Sequence, residues 1–120
     1  FLYQKRRGAT TLWETWTGSG SQDHPMFGAC VRQLFSSILG IGQADGSAGF
    51  TELRIAPQIP KNLPWASGSL CIPAGKVTVA WKKDADHIQF HIELPENTSA
   101  RFIYSGEECI LNSHVNDLTF

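Results

Sequence analysis

The stretch Gly8-Ala9-Thr10-Thr11-Leu12-Trp13-Glu14-Thr15-Trp16 sets a carboxylate between two indoles, and His24 follows at the entry of an apolar segment. Indole faces pack on the C–H faces of a pyranose, while a carboxylate can grip hydroxyls or activate a water molecule. The glycine and threonines ahead of the pair suit a tight turn rather than a helix interior. A sugar site is the chemistry this spacing points to. Two core aromatics flanking a solvated Glu14 would give the same string, and composition alone does not separate the two readings.

Other patterns carry less. Gly18-Ser19-Gly20 is a poor phosphate loop, because no buried strand precedes it and no P-loop lysine follows. His87, His91 and Glu93 fall close together on one strand, with His91 and Glu93 on the same face. Two polar groups on a wet sheet face need no metal to explain them, so no metal site and no cofactor are assigned. Cys30, Cys71 and Cys109 are widely spaced, without a CxxC pair. That argues against a disulfide framework and against a cysteine zinc site, and buried free thiols are expected. Asn97-Thr98-Ser99 is a formal glycosylation sequon at a turn, meaningful only in a eukaryotic secretory setting.

Two periodicities organise the elements that must carry these residues. From Met26 to Ile41 the apolar residues Phe27, Cys30, Val31, Leu34, Phe35, Ile38 and Ile41 recur at spacings of three and four, which predicts a helix. Asp23 is its expected N-cap, Pro25 fits the first turn, and Gly40 and Gly42 supply the exit. Only Arg32, Gln33, Ser36 and Ser37 form a polar stripe, so most of this helix requires burial against partners that the chain does not contain. Downstream the period becomes two. Val77, Val79 and Trp81 alternate with polar or small residues. Beyond the turn at Lys83-Asp84-Ala85-Asp86, Ile88, Phe90, Ile92 and Leu94 do the same. These segments predict a hairpin with one dry and one wet face. Leu53/Ile55 and Ala100/Phe102/Tyr104 repeat the pattern, with weaker strands at Gly68–Ile72 and Cys109–Leu111. Proline and glycine turns between them indicate a mainly β chain built as an antiparallel β-sandwich. The expected division is 1–42 for the helical part, 43–48 for a hinge and 49–120 for the sandwich. A sheet body this small supplies a core only about 3–5 kcal/mol deep, which suits docking on a neighbour.

Composition narrows the classes. The 120 residues carry a formal charge of −1, so there is no electrostatic case for nucleic acid or an anionic membrane surface. Lys5-Arg6-Arg7 is too short a run to alter that. No apolar run approaches the roughly 20 residues of a membrane span. Phe1-Leu2-Tyr3 does not open a secretory leader, and a start in mid-pattern is expected of a chain cut from something longer.

Gly8–Trp16, followed by His24-Pro25-Met26-Phe27-Gly28-Ala29 at the head of an apolar helix, resembles the carboxy-terminal end of bacterial inverting α-L-rhamnosidases. Pro73-Ala74-Gly75-Lys76-Val77, the Trp81-Lys82-Lys83 that follows, and Ile92-Glu93-Leu94-Pro95-Glu96-Asn97-Thr98 resemble that family's closing β-sandwich. Resemblance runs from about Gly8 to Phe120. It implies that 1–42 is the terminal loop and last helix of a catalytic (α/α)6 barrel. It also implies that Glu14 is the general base, that His24 contacts bound rhamnose, and that Trp16 lines the same pocket. An inverting mechanism needs a second carboxyl across the sugar, about 6.5–9.5 Å from the base. In the family that acid lies far upstream, and Glu52, Glu93, Glu96, Glu107 and Glu108 are no substitute. The partners implied are a rhamnose-containing glycoside and the missing barrel of the same polypeptide. The isolated chain is expected to be inactive, and its compartment stays open between periplasmic or secreted and cytoplasmic. One departure is the short Gly/Ser-rich segment before His24, with Asp23 adding a negative charge there, which leaves the sugar's identity open.

Two other functions fit the residues. The sandwich could hold carbohydrate itself, through Trp65, Trp81 or the His91/Glu93 face. It could also be purely structural, capping a barrel and covering its own apolar surface. Trp81 is in phase with Val77 and Val79, which assigns it to the core.

Overall fold

Strict alternation of side chains is what builds the sheets, because a strand buries one face only when every second residue is apolar. The computed structural model describes residues 2–120. Among them are eight strands: β1 (Ile41–Gln43), β2 (Leu53–Ile55), β3 (Trp65–Ile72), β4 (Gly75–Lys83), β5 (Ile88–Leu94), β6 (Ala100–Tyr104), β7 (Glu107–Leu111) and β8 (His114–Thr119). They form two four-stranded sheets, β1-β2-β6-β7 and β3-β4-β5-β8. The predicted hairpin is the centre of the second sheet, with Val79 opposite Ile92 and Trp81 opposite Phe90. Between β2 and β6 the chain crosses to the second sheet and returns, and those two strands consequently run parallel while every other pairing is antiparallel.

The dry faces meet in one core. Leu53, Ile55, Ala100, Phe102 and Leu111 come from the first sheet, and Val77, Val79, Trp81, Phe90, Ile92 and Leu94 from the second. Phe90 packs edge-on against Phe102, Tyr104 and Phe120 at centroid distances of 5.1, 4.9 and 5.8 Å. Trp81 is 2% exposed and its indole N–H donates to the Ile38 carbonyl (2.8 Å), so it is a core residue as its phase required and cannot be a sugar platform. β8 had no sequence signal: Val115 and Leu118 are out of phase with each other, and pairing with β5 holds this edge strand in place.

The helical segment differs from expectation. Pro25–Gly28 is a 3-10 turn, α2 (Ala29–Gln33) is a short α-helix, and Leu34–Ile38 closes as a π turn. An earlier helix, α1, spans Leu2–Arg6. His24, not Asp23, occupies the cap position and makes no side-chain capping bond. The run stops short of Ile41 because Gly40 takes a positive φ of 72° and Ile41 pairs with Ile55 in the first sheet. The thiols also differ. Cys30, Cys71 and Cys109 are free but exposed. Cys71 is in phase with the outward Ser67 and Ser69, opposite Lys76, and Cys109 lies on edge strand β7 where only Leu111 is buried.

The chain separates into two compact units, one ending at Gln33 and the other spanning Leu34–Phe120. All of the apolar core belongs to the second. In the first, Gln4 is the single buried side chain among the described residues, and Leu2, Tyr3, Trp16, Met26, Phe27 and Val31 stand exposed.

Candidate functional site

A closed loop carries Glu14. Its two legs, 11–14 and 21–24, are tied by the Glu14 amide donating to the Ser21 carbonyl (2.9 Å) and the His24 amide donating to the Leu12 carbonyl (2.6 Å). The Thr11 hydroxyl adds a bond to the Gln22 carbonyl. At the tip, the Thr15 hydroxyl donates to the Ser19 carbonyl at 2.6 Å. The Ser21 amide donates to Glu14 Oε2 (3.0 Å), which fixes the carboxylate against its own loop. Gly20 suits that position: it adopts φ 85°, which residues with a side chain rarely take, and a Cβ 2.7 Å from Glu14 Oε2 would push the carboxylate aside.

Beneath the loop, the Gln4 amide nitrogen of α1 donates to the carbonyls of Trp13 (3.0 Å) and Thr15 (3.4 Å), gripping the backbone on both sides of Glu14. Gln4 was not singled out from sequence. Its only signal was a polar residue among aromatics, which becomes meaningful once its burial is known. Gln4, Trp13, Glu14, Thr15, Trp16 and Phe27 line a cavity of about 410 Å³. Glu14 and Trp16 therefore share one cavity. Trp16 remains 64% exposed, touched edge-on by Tyr3 at 6.3 Å. His24 is one step away: its ring stacks on Phe27 (5.4 Å, 29°), which does line the cavity. His24 Nδ1 is buried without a hydrogen-bond partner, an arrangement that costs about 1–3 kcal/mol while it lasts.

A second cluster lies on the outer face of the β3-β4-β5-β8 sheet. His91 Nδ1 lies 2.7 Å from Asp117 Oδ1 and Nε2 3.3 Å from Glu93 Oε1; the carboxylate oxygens accept, so the protonated ring donates to both. Hydrogen bonding to Asp117 first, and to Glu93 second, raises the His91 pKa above its ordinary 6.5. His87 takes no part, and no group of three or more potential metal ligands occurs among the described residues. Asp117 was missed from sequence because its strand was.

Comparison with known proteins supplies the family. A model of the bacterial alpha-L-rhamnosidase C-terminal domain matches residues 40–116, more than half of the chain. An alpha-L-rhamnosidase of Alteromonas sp. (strain LOR) is 31% identical over 114 residues, covering 86% of this chain and 12% of that protein. One from Formosa agariphila is 32% identical over 112 residues, covering 83% and 12%. The chain thus spans about an eighth of the length of these curated relatives. Among solved structures, the alpha-L-rhamnosidase of Aspergillus terreus superposes over 98% of this chain and 15% of its own, with a TM-score of 0.81 and 24% identity. That of Streptomyces avermitilis, complexed with L-rhamnose, covers 98% and 14% with a TM-score of 0.79 and 19% identity. Those two likenesses speak for the fold, and the sequence match decides the membership: this chain belongs to the bacterial alpha-L-rhamnosidase C-terminal domain family.

Proposed function

We propose that the chain is the carboxy-terminal portion of a glycoside hydrolase of α-L-rhamnosidase type, supplying part of an active site that further residues complete. In this reading the part ahead of β1 is the terminal loop and last helix of a catalytic (α/α)6 barrel, and the sandwich expected over 49–120 also takes in β1 (Ile41–Gln43), which pairs with β2 in place of the expected start of a hinge. The substrate is a rhamnose-containing glycoside. Glu14 is the general base that activates the attacking water, with Ser21 holding Oε2 so that Oε1 is the oxygen addressing solvent. Trp16 offers an indole face to the sugar, and His24 contacts it beside Phe27.

The observation that carries the reading is the mismatch inside the first unit. It has a braced carboxylate, two indoles and a shared cavity, yet its one buried side chain is Gln4 and it lacks an apolar core among the described residues. The exposed Met26, Phe27 and Val31, and the unpartnered His24 Nδ1, ask for neighbours of the kind a helical barrel provides. Glu14 and Asp23 are the carboxylates of this unit, and both lie in the same loop. The acid of an inverting pair therefore has to come from elsewhere in the polypeptide.

In the full-length enzyme, Glu14→Gln is expected to lower kcat by about 10²–10⁴-fold with little change in melting temperature. Activity within a few-fold of the parent would remove Glu14 from the mechanism. The chain of 120 residues alone is expected to release no rhamnose from an aryl α-L-rhamnoside.

A further inference from the structure

The outer face of the β3-β4-β5-β8 sheet is mostly polar, and its large exposed apolar residues among those described are Trp65 and, opposite Glu93, Val115. Trp65 begins β3 and stands 61% exposed. Register places it at the end of a row that continues through Lys82, Gln89 and Thr119, and the next row is Ser67, Ala80, His91 and Asp117. The short Ser67 and Ala80 beside the indole leave a trough, and together these two rows line a groove of about 450 Å³. At neighbouring-strand spacings of about 4.8 Å the rows extend roughly 14 Å, enough for more than one sugar ring.

We propose that this groove binds a neutral saccharide, one pyranose stacking on Trp65 while its hydroxyls bond to Gln89 and Asp117. Chemistry selects that occupant. An exposed indole on a wet sheet face offers a flat apolar surface one ring wide, matched to the C–H face of a pyranose and too small for a protein partner's apolar core. Around it stand an amide and a carboxylate, which between them donate to and accept from hydroxyls. Both ring nitrogens of His91 are taken up by Asp117 and Glu93, so the imidazole holds these two carboxylates in place before any ligand arrives. The His91 contact engages only Oδ1 of Asp117, leaving the second oxygen to accept from a hydroxyl. The same carboxylates repel a polyanion, which rules against nucleic acid and acidic polysaccharide. Lys82 at the rim is already paired with Asp84 (3.7 Å).

The site is separate from the cavity at Glu14, and its failure would leave the hydrolase reading untouched. The test is an amide and indole NMR titration of the 120-residue chain with L-rhamnose, cellopentaose and oligogalacturonate. Saturable shifts at Trp65, Gln89, His91 and Thr119 with a neutral probe are expected, weakened about ten-fold or more in Trp65→Ala and unchanged in Trp16→Ala. No shift with either neutral probe would overturn the proposal, and so would binding of the oligogalacturonate alone. Loss of binding in Trp16→Ala instead would assign the sugar to the other cavity. Shifts on this face that follow protein concentration without sugar would assign it to a second copy of the chain. Either result overturns the inference.

Discussion

His91 and Glu93 could be paired on paper, because residues two apart on a strand share a face. Asp117, which makes the shorter contact at 2.7 Å, could not, since it arrives from a strand with no periodic signature. Both carboxylates favour the charged imidazole, so the folded pKa lies above 6.5. A raised basic group contributes stability that is fully present below the unfolded value and lost as pH rises through the folded one. A proton titration of the His91 ring is accordingly expected to show a midpoint above 6.5, moving down in Asp117→Asn. The melting temperature of this chain is expected to decline slightly as pH is raised through that midpoint, and the decline to shrink in His91→Gln. The effect is small because the pair is solvent-exposed. A midpoint at or below 6.5 in the parent chain would contradict the geometry. Glu14 and Trp16 are the opposite case. Their proximity was legible because they are two residues apart in sequence, whereas the brace from Gln4 depends on α1 folding back beneath the loop.

At the scale of elements, the hairpin β4–β5 was readable to within a residue or two, because alternation over a long run leaves only one way to bury Val77, Val79, Trp81, Phe90, Ile92 and Leu94. The segment 26–41 was harder. Its three- and four-residue spacing is real, but the run divides into 3-10, α and π turns and then yields to a strand. Gly40 is the pivot: at φ 72°, a Cβ there would collide with the backbone of Ala56 and Pro57. Gly42 has an ordinary φ and nothing nearer than Arg54 O at 3.9 Å. Chemical denaturation is therefore expected to find Gly40→Ala destabilised by about 2 kcal/mol or more. Gly42→Ala is expected to be neutral or stabilising by up to about 1 kcal/mol. Equal effects at the two positions would show that the turn at Gly40 is not what ends the helical run.

At the scale of the whole chain, the two units differ in what holds them. The sandwich has a continuous core with Phe90, Phe102, Ile55, Ile92, Val77 and Val79 almost wholly buried. The unit ending at Gln33 is organised by backbone and side-chain hydrogen bonds around exposed aromatics. Hydrogen bonds open to water contribute little net stability, whereas removing apolar surface from water contributes most of it. Hydrogen exchange on this chain is expected to give slow amides in β4, β5 and β6. Amides of residues 2–33 should exchange faster by several orders of magnitude. Comparable protection in both would mean that the first unit is stabilised by more than its own hydrogen bonds.

By itself the sequence determined the mainly β class, the central hairpin, the core role of Trp81 and the isolation of Glu14 between two indoles. Each of these follows from local periodicity or adjacency, which survive in the unfolded chain. Tertiary structure alone decided the parallel β2–β6 pairing, the edge strands β1 and β8, the outward turn of Cys71 and Cys109, the clamp by Gln4, and the alignment of Trp65 with Gln89 and Thr119. All of these join residues far apart in the chain. Their pairing is fixed by which faces can be kept from water together, a property of the assembled sheets and not of any one segment.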